Sequence, residues 1–180
     1  RFDKDEWLKS YTIARYGKIN STVQDAWTLL SNSIYNCPPE STQQGTHESL
    51  FCARPSDHPY QVSSWSEMSD YYDPNDVIRA ASMMVSVADQ FIGNNNFEYD
   101  LVDIVRQAIA EKGRLVEKVV EAAFASGDKT LYNAAANKFL QLILFQDELL
   151  GTRSEFTVGN WINQARSLGN TPEEKELYEW

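Results

Sequence analysis

Hydrophobic and polar positions follow their most regular pattern along residues 97–126. Apolar side chains recur there every three or four positions, at Phe97, Leu101, Ile104, Val105, Ala108, Ile109, Leu115, Val116, Val119, Val120, Ala123 and Phe124. This spacing places them on one wide stripe of a helix and leaves Asp100 and Asp103 on the predicted solvent side. The stretch contains no proline, and Gly127 supplies a stop signal. The pattern predicts a rod of roughly 45 Å, which needs other helices packed against its stripe.

Weaker versions of the same period predict helices on both sides of this rod. They cover about residues 4–16, 21–36, 74–92, 129–150 and 157–168, and a last one begins after Thr171. Asp3, Asp73, Asp128 and Thr171 have the residue types that cap helix N-termini. The predicted interior faces include Trp7, Ile92, Leu131, Phe145 and Trp161. Strand signals are weak throughout, so residues 1–180 are expected to form a single all-α domain, a bundle of about six to seven helices with one long loop.

The long loop, residues 37–72, holds four of the six prolines, both cysteines and both histidines. Cys37, His47, Cys52 and His58 do not show the paired ligands, two to four residues apart, that are typical of structural zinc. A Cys37–Cys52 disulfide is favoured over a metal site, and two free thiols are the third alternative. The disulfide would contribute about 3 kcal/mol in the chain-entropy description and would imply an oxidising compartment.

Two side chains of this loop are candidates for contact with a partner or ligand. Trp65 is an aromatic residue on an irregular segment, where such residues form sugar platforms or interface anchors, although it could also pack the loop onto the core. Arg54 offers a planar fork for a carboxylate or a carbonyl. Asn20 opens the only Asn-X-Ser/Thr triplet with a permitted middle residue, so it is the candidate glycosylation site.

Net charge, the length of apolar runs and motif content limit the classes of function that the chain can have. The chain has 16 Lys and Arg against 26 Asp and Glu, a net charge of −10, and such a surface disfavours nucleic acid as a partner. No stretch reaches the length of a membrane span, and no cofactor motif or metal site is predicted. The abrupt first and last residues suggest a piece of something larger.

Carboxylates are numerous, but no pair of them is a convincing catalytic pair. The groups nearest in sequence are Glu67 with Asp70, and Glu98 with Asp100 and Asp103. The second group lies near the start of the long helix, where acidic side chains interact favourably with the positive end of the helix dipole. A catalytic role is therefore not needed to explain their position. No catalytic residue is therefore assigned in this chain.

Six short stretches, in order, resemble the C-terminal helical region of α-N-acetylglucosaminidases, glycoside hydrolase family 89. They are residues 14–17, 34–37, 54–56, 99–108, 147–150 and 159–166. The block from Tyr99-Asp100-Leu101 to Arg106-Gln107-Ala108 is the most specific. A family glycosylation triplet at Asn36 is absent here because Pro38 occupies its third position.

The resemblance implies a helical domain that packs on a catalytic barrel of the same polypeptide and lines one wall of the sugar cleft. It implies hydrolysis of terminal α-linked N-acetylglucosamine from heparan sulfate-type glycans with retention of configuration, by two glutamates that belong to the barrel. The implied location is the lysosome or vacuole, reached through the secretory pathway, or the outside of the cell. A free-standing helical interaction module is the alternative, and homo-oligomerisation is left open.

Overall fold

The computed structural model describes residues 2–38, 49–53 and 71–180. These residues form seven α-helices: α1 (Lys4–Tyr16), α2 (Ser21–Asn32), α3 (Pro74–Ser86), α4 (Asn95–Ser126), α5 (Lys129–Gly151), α6 (Val158–Ser167) and α7 (Pro172–Glu179). Short 3₁₀ helices lie at Leu50–Cys52, Ala88–Phe91 and Ser154–Phe156. The described ranges contain no β-strand, so the all-α prediction is confirmed.

Helix ends follow the predicted capping chemistry. The four predicted caps accept hydrogen bonds from the first turn of their helices, and Asn20 and Asn94 cap α2 and α4 in the same way. The predicted caps are Asp3, Asp73, Asp128 and Thr171. Thr171 and Glu174 form a reciprocal capping box. Gly17 and Gly127 end α1 and α4 at φ of 76° and 72°, a left-handed conformation that side chains with a Cβ rarely adopt. Local sequence thus determines where these helices begin and end.

A closed core lies between α2, α3 and the first half of α4. The rings of Phe91 and Phe97 stack with centroids 4.1 Å apart, and Tyr16 packs edge-on against both. Met84 and Ala26 are fully buried in the same cluster. The first half of the predicted stripe of the long helix supplies this core, as expected, whereas Val119 and Phe124 near the end of the stripe are exposed and were wrongly placed inside.

Helix α3 is shorter than predicted. It ends at Ser86, and a 3₁₀ turn at Ala88–Phe91 changes the direction of the chain. Because of this turn Phe91 enters the core, whereas Ile92 is exposed, so its prediction as an interior residue is wrong.

The C-terminal third is much more open. Helix α5 packs on α4 through one side, where Ala135 is buried, but Leu131 and Phe145 are exposed. Trp161 on α6 is 71% exposed, and Trp7 near the N-terminus is half exposed. The predicted interior positions of these four side chains are therefore wrong. A helical period identifies an apolar face, but it does not show whether another part of this chain packs against that face.

A buried carboxylate joins α1 and α2 to α4. Both oxygens of Asp100 accept hydrogen bonds from the Arg15 guanidinium, one of them at 2.7 Å from Nη2. The Tyr16 hydroxyl also donates to Asp100, at 2.7 Å, and accepts from Trp27 Nε1 at 2.9 Å. Asp100 is thus buried with its charge neutralised, and its predicted place on the solvent side is wrong.

The start of α4 also satisfies the end of α1. Asn94 donates to the Tyr16 carbonyl at 2.8 Å, and Asn96 donates to the Arg15 carbonyl at 3.0 Å. The last carbonyls of a helix have no partner within it, so these two amides supply the missing donors.

One residue of the long loop is anchored on the middle of α4. A Cβ built on Gly113 would lie 2.7 Å from Cε1 of Phe51, and Phe51 packs edge-on against Phe139 of α5. Only glycine leaves room for the ring at this position. The turn Leu50–Cys52 therefore lies where α4 and α5 meet.

Removing the Tyr16 hydroxyl tests the buried cluster. Burial and the nearby Asp100 carboxylate raise the pKa of Tyr16 in the folded protein. Its neutral hydroxyl therefore stabilises the fold fully below the unfolded pKa of about 10, and this contribution is lost as the pH rises through the higher folded pKa. We expect Tyr16→Phe to cost about 1.5–3 kcal/mol at pH 7, with the difference from the unchanged protein narrowing above about pH 10.

Urea denaturation from pH 7 to pH 11 measures this difference. Tyr132→Phe, at a more exposed position on α5, serves as the control and should leave the profile like that of the unchanged protein. A cost for Tyr16→Phe that is the same at every pH would contradict the assignment.

Two valines on α4 test which part of its stripe is covered. Val116 is 6% exposed, whereas Val119, three residues further on, is 41% exposed. Val116→Asp would bury an unpaired charge, and we expect a loss of about 3 kcal/mol or more, or failure to fold. Val119→Asp should cost less than about 1 kcal/mol in thermal or chemical unfolding. Equal costs would mean that the stripe is oriented differently.

Candidate functional site

A tyrosine-lined pocket of about 260 Å³ lies between the end of α2, the segment before α3, and α4. Its apolar floor consists of Leu30, Ile34, Val77 and Ile104, its aromatic rim of Tyr35, Tyr71 and Tyr72, and its polar wall of Asp103, Arg106 and Gln107. The volume is slightly below the range of about 300–1,000 Å³ that is usual for small-molecule sites. The pocket has room for a ligand of a few heavy atoms beside aromatic rings.

The polar groups of this pocket bind one another. Arg106 forms an ion pair with Asp103 at 2.7 Å, one turn away on the same helix. The Tyr71 hydroxyl donates to the Ile34 carbonyl at 2.5 Å, and burial together with the neighbouring Cys37 raises the pKa of Tyr71. This hydroxyl consequently stays protonated at neutral pH and remains a donor. The wall is preorganised, with its charges already paired.

Behind the pocket lies a fully buried glutamate, Glu111. Its Oε1 accepts from the Tyr72 hydroxyl at 2.5 Å and from Gln107 Nε2 at 2.7 Å. Its Oε2 lies 3.6 Å from Nη1 of Arg114, which is also buried. The Arg114 charge compensates a carboxylate that would otherwise be costly to bury. Glu111 thus ties the segment before α3 to the middle of α4.

Sequence reasoning missed the pocket tyrosines, Gln107 and Glu111. Their signals are present but weak. Tyr71 and Tyr72 come directly before the cap of α3, and Gln107 and Glu111 are four residues apart on one helix face. Neither signal identifies the partner, which lies on another element.

Of the carboxylates singled out from the sequence, the three within the described ranges, Glu98, Asp100 and Asp103, are each engaged by other groups of the chain. Asp100 is held by Arg15 and Tyr16, and Asp103 by Arg106. Glu98 accepts from the Gly93 N–H at 2.8 Å and lies 3.7 Å from Nη1 of Arg153. A retaining glycosidase needs two carboxyl groups about 5–5.5 Å apart that face one bond. Among the described residues, the pocket wall contains a single carboxylate, Asp103.

The predicted disulfide is not present in the structure, where Cys37 and Cys52 are both thiols. Cys37 lies against Tyr71, while Cys52 is exposed on the turn that Phe51 anchors at Gly113. The two cysteines are thus held by different contacts. In the described part of the chain, no group of three or more His, Cys, Asp or Glu is arranged to hold a metal ion.

The Asn20 side chain is the N-cap of α2. Its Oδ1 accepts from the Val23 N–H at 3.0 Å, and its Nδ2 donates to Gln90 Oε1 at 3.0 Å. A glycan would be attached at this same nitrogen, and glycosylation of Asn20 stays a prediction.

The remaining predicted residues lie outside the described ranges. Arg54 and Trp65, the candidates for the substrate rim or an interface, fall in 54–70, together with His58, Glu67 and Asp70. His47 falls in 39–48. Across the described residues, no helix has both the length and the apolar character needed to cross a membrane.

Comparison with known proteins identifies the family. Residues 7–180 match the family described as Alpha-N-acetylglucosaminidase (NAGLU) C-terminal domain. The human protein Alpha-N-acetylglucosaminidase is 31% identical over 178 residues, which are 98% of this chain and 23% of that protein.

Solved structures of a family 89 glycoside hydrolase from Clostridium perfringens share the fold. One is in complex with 2-acetamido-1,2-dideoxynojirimycin, and another, a doubly substituted form, with its substrate GlcNAc-α-1,4-galactose. Each superimposes with a TM-score of 0.90 at 30% identity, covering 98% of this chain and 20% of the other. The chain thus spans about a fifth of the length of these relatives. Since the family match covers nearly all of its residues, the chain belongs to the C-terminal domain family of the α-N-acetylglucosaminidases, glycoside hydrolase family 89.

Proposed function

We propose that this chain is the helical part of an enzyme that removes terminal α-linked N-acetylglucosamine, and that it supports the catalytic domain without supplying the reacting groups. One observation carries the proposal. Of this chain, 98% superimposes, at a TM-score of 0.90, on one fifth of a glycoside hydrolase whose substrate is GlcNAc-α-1,4-galactose. At 30% identity this likeness extends from fold to family.

The hydrogen bonds of the carboxylates on this chain support the part of the proposal that places the reacting groups elsewhere. A general acid must present a proton to the leaving oxygen, and a nucleophile must present a bare carboxylate to the sugar carbon. Asp100 and Asp103 accept hydrogen bonds from arginines, so both side chains are engaged by this chain's own groups. Glu111 is out of contact with solvent. The two catalytic carboxylates would therefore come from the rest of the polypeptide.

Finer aspects follow from the family resemblance and remain part of the proposal. The substrates would be heparan sulfate-type glycans, the configuration would be retained, and the enzyme would work in the lysosome or vacuole or outside the cell. Residues 1–180 would form one domain that packs on the catalytic barrel, with Arg54 and Trp65 at the rim of the cleft or at the interface. We prefer this function to a free-standing interaction module because the family match covers almost the whole chain.

An activity assay tests this division of labour. The purified 180-residue chain should not turn over an aryl α-N-acetylglucosaminide, whereas a longer enzyme that contains it should. In that enzyme we expect Asp103→Asn to keep kcat within about tenfold, because loss of a general acid or base costs about 10²–10⁴-fold. Asp76→Asn is the matched control, since Asp76 pairs with Arg79 at the same spacing and does not line the pocket.

Two results would count against the proposal. Turnover by the 180-residue chain would place the reacting groups within it. A loss of more than a hundredfold for Asp103→Asn, with Asp76→Asn unaffected and both proteins folded, would give the pocket carboxylate a part in the chemistry.

A further inference from the structure

A row of four aromatic rings leads from α1 across α2 to the rim of the tyrosine-lined pocket. The rings of Trp7 and Tyr11 stack with centroids 5.4 Å apart, and Tyr11 packs edge-on against Trp27 at 5.3 Å. Trp27 then stacks on Tyr35, with centroids 6.3 Å apart and ring planes 13° from parallel. Because Tyr35 lines the pocket, this row, here called the aromatic ladder, is continuous with it.

The rings of the aromatic ladder are held in place and still reach the surface. Trp27 is fixed by the hydrogen bond from its Nε1 to the Tyr16 hydroxyl, and its neighbours pack against it on two sides. At the two ends, Trp7 is half exposed and Tyr35 is 63% exposed. Adjoining exposed aromatic rings mark a binding surface, and rings that are already fixed lose little conformational entropy when a ligand binds.

The polar wall of the pocket offers donors and acceptors without a net charge. Nε and Nη2 of Arg106 both lie on Oδ1 of Asp103, at 2.8 and 2.7 Å. Within the described ranges, Oδ2 of Asp103 accepts no hydrogen bond, so this oxygen remains an acceptor. The other N–H groups of the Arg106 guanidinium remain donors. Such a wall suits hydroxyl groups, because each of them can both donate and accept.

We infer that the tyrosine-lined pocket and the aromatic ladder form one binding groove for an uncharged saccharide. A pyranose ring has a face of C–H groups, which packs on the electron-rich face of an aromatic ring. Its edge carries hydroxyl groups, which the polar wall can bind. The pocket, at about 260 Å³, would hold a sugar ring, and the ladder would contact the sugars that follow it.

Other classes of ligand fit this groove less well. A purely apolar ligand would desolvate Asp103 and Arg106 without giving them partners. An anionic ligand would find the Arg106 charge already neutralised by Asp103, on a chain whose net charge is −10. Since the argument uses only the groove itself, the inference goes beyond the proposed function and does not depend on catalysis by the longer enzyme.

Fluorine NMR of the longer enzyme, labelled with 5-fluorotryptophan, tests the groove. The signals of Trp7, Trp27 and Trp161 are assigned by their loss in the variants Trp7→Phe, Trp27→Phe and Trp161→Phe, and exposed Trp161 on α6 is the internal control. We expect the neutral trisaccharide of β-1,4-linked N-acetylglucosamine to shift the signals of Trp7 and Trp27 saturably and to leave that of Trp161 unchanged. The same trisaccharide sulfated at its primary hydroxyls should bind at least about fivefold more weakly.

A substitution at the rim tests whether the ladder and the pocket act together. Tyr35→Ala removes the ring that joins them, and Tyr178→Ala, at another exposed position on α7, is the matched control. We expect Tyr35→Ala to weaken binding of the neutral trisaccharide at least about fivefold, and Tyr178→Ala to leave it unchanged. An unchanged Trp161 signal in both variants verifies that they are folded.

Saturable shifts confined to Trp7 and Trp27, and weakened by Tyr35→Ala, support the inference. It would be overturned by the absence of a saturable shift at Trp27, by an equal shift at Trp161, or by equally tight binding of the sulfated trisaccharide. Turnover of an aryl α-N-acetylglucosaminide is measured on the same samples. Its absence would refute the proposed function without changing the result at the groove.

Discussion

The buried Asp100 carboxylate is the interaction on which the arrangement of the N-terminal helices depends. Asp100 lies on α4 and accepts hydrogen bonds from Arg15 and Tyr16 at the end of α1. The Tyr16 hydroxyl in turn accepts a hydrogen bond from Trp27 of α2. A buried charge is costly unless every partner is in place, so this cluster permits one relative position of three helices. Apolar packing alone would fix the relative position of the helices less tightly, because apolar helix faces can slide along one another.

A second constraint is the length of α4, because α1, α2 and α3 are too short to cover all of it. The closed core involves Tyr16 to Ala108 and so uses only the first half of this helix. Its second half is covered by α5 and by Phe51, which fits against Gly113. Beyond that layer α5, α6 and α7 present exposed apolar side chains such as Leu144 and Trp161. The described residues therefore make a bundle with a closed core around the first half of α4 and an open layer of apolar side chains beyond its second half.

This asymmetry explains what the sequence could predict. Caps such as Asp73 and Gly127 depend on interactions within a few residues, so the helices and most of their ends were predictable. The exceptions are the ends of α2 and α3, which stop at Asn32 and Ser86, four and six residues earlier than the pattern predicts. The role of Asp100 was not, because its partner Arg15 is 85 positions away and an acidic residue near a helix start has a simpler local explanation. The burial of Trp161 was mispredicted for another reason: periodicity detects an apolar face, and the cover for that face is not supplied by the described residues.

The candidate site shows the same limit, because it depends on contacts between residues that are distant in the sequence. The tyrosine-lined pocket unites α2, α4 and the segment before α3, elements that no local pattern connects, so it was invisible in the sequence. Its charged groups are paired with each other, and Glu111 behind it is held by Tyr72, Gln107 and Arg114. Groups paired in this way stabilise the positions of helices, whereas a catalytic carboxylate must remain available to substrate. The chemistry of the polar residues and the exposure of the apolar ones therefore both support the proposal that this domain holds a surface in place for the rest of an enzyme.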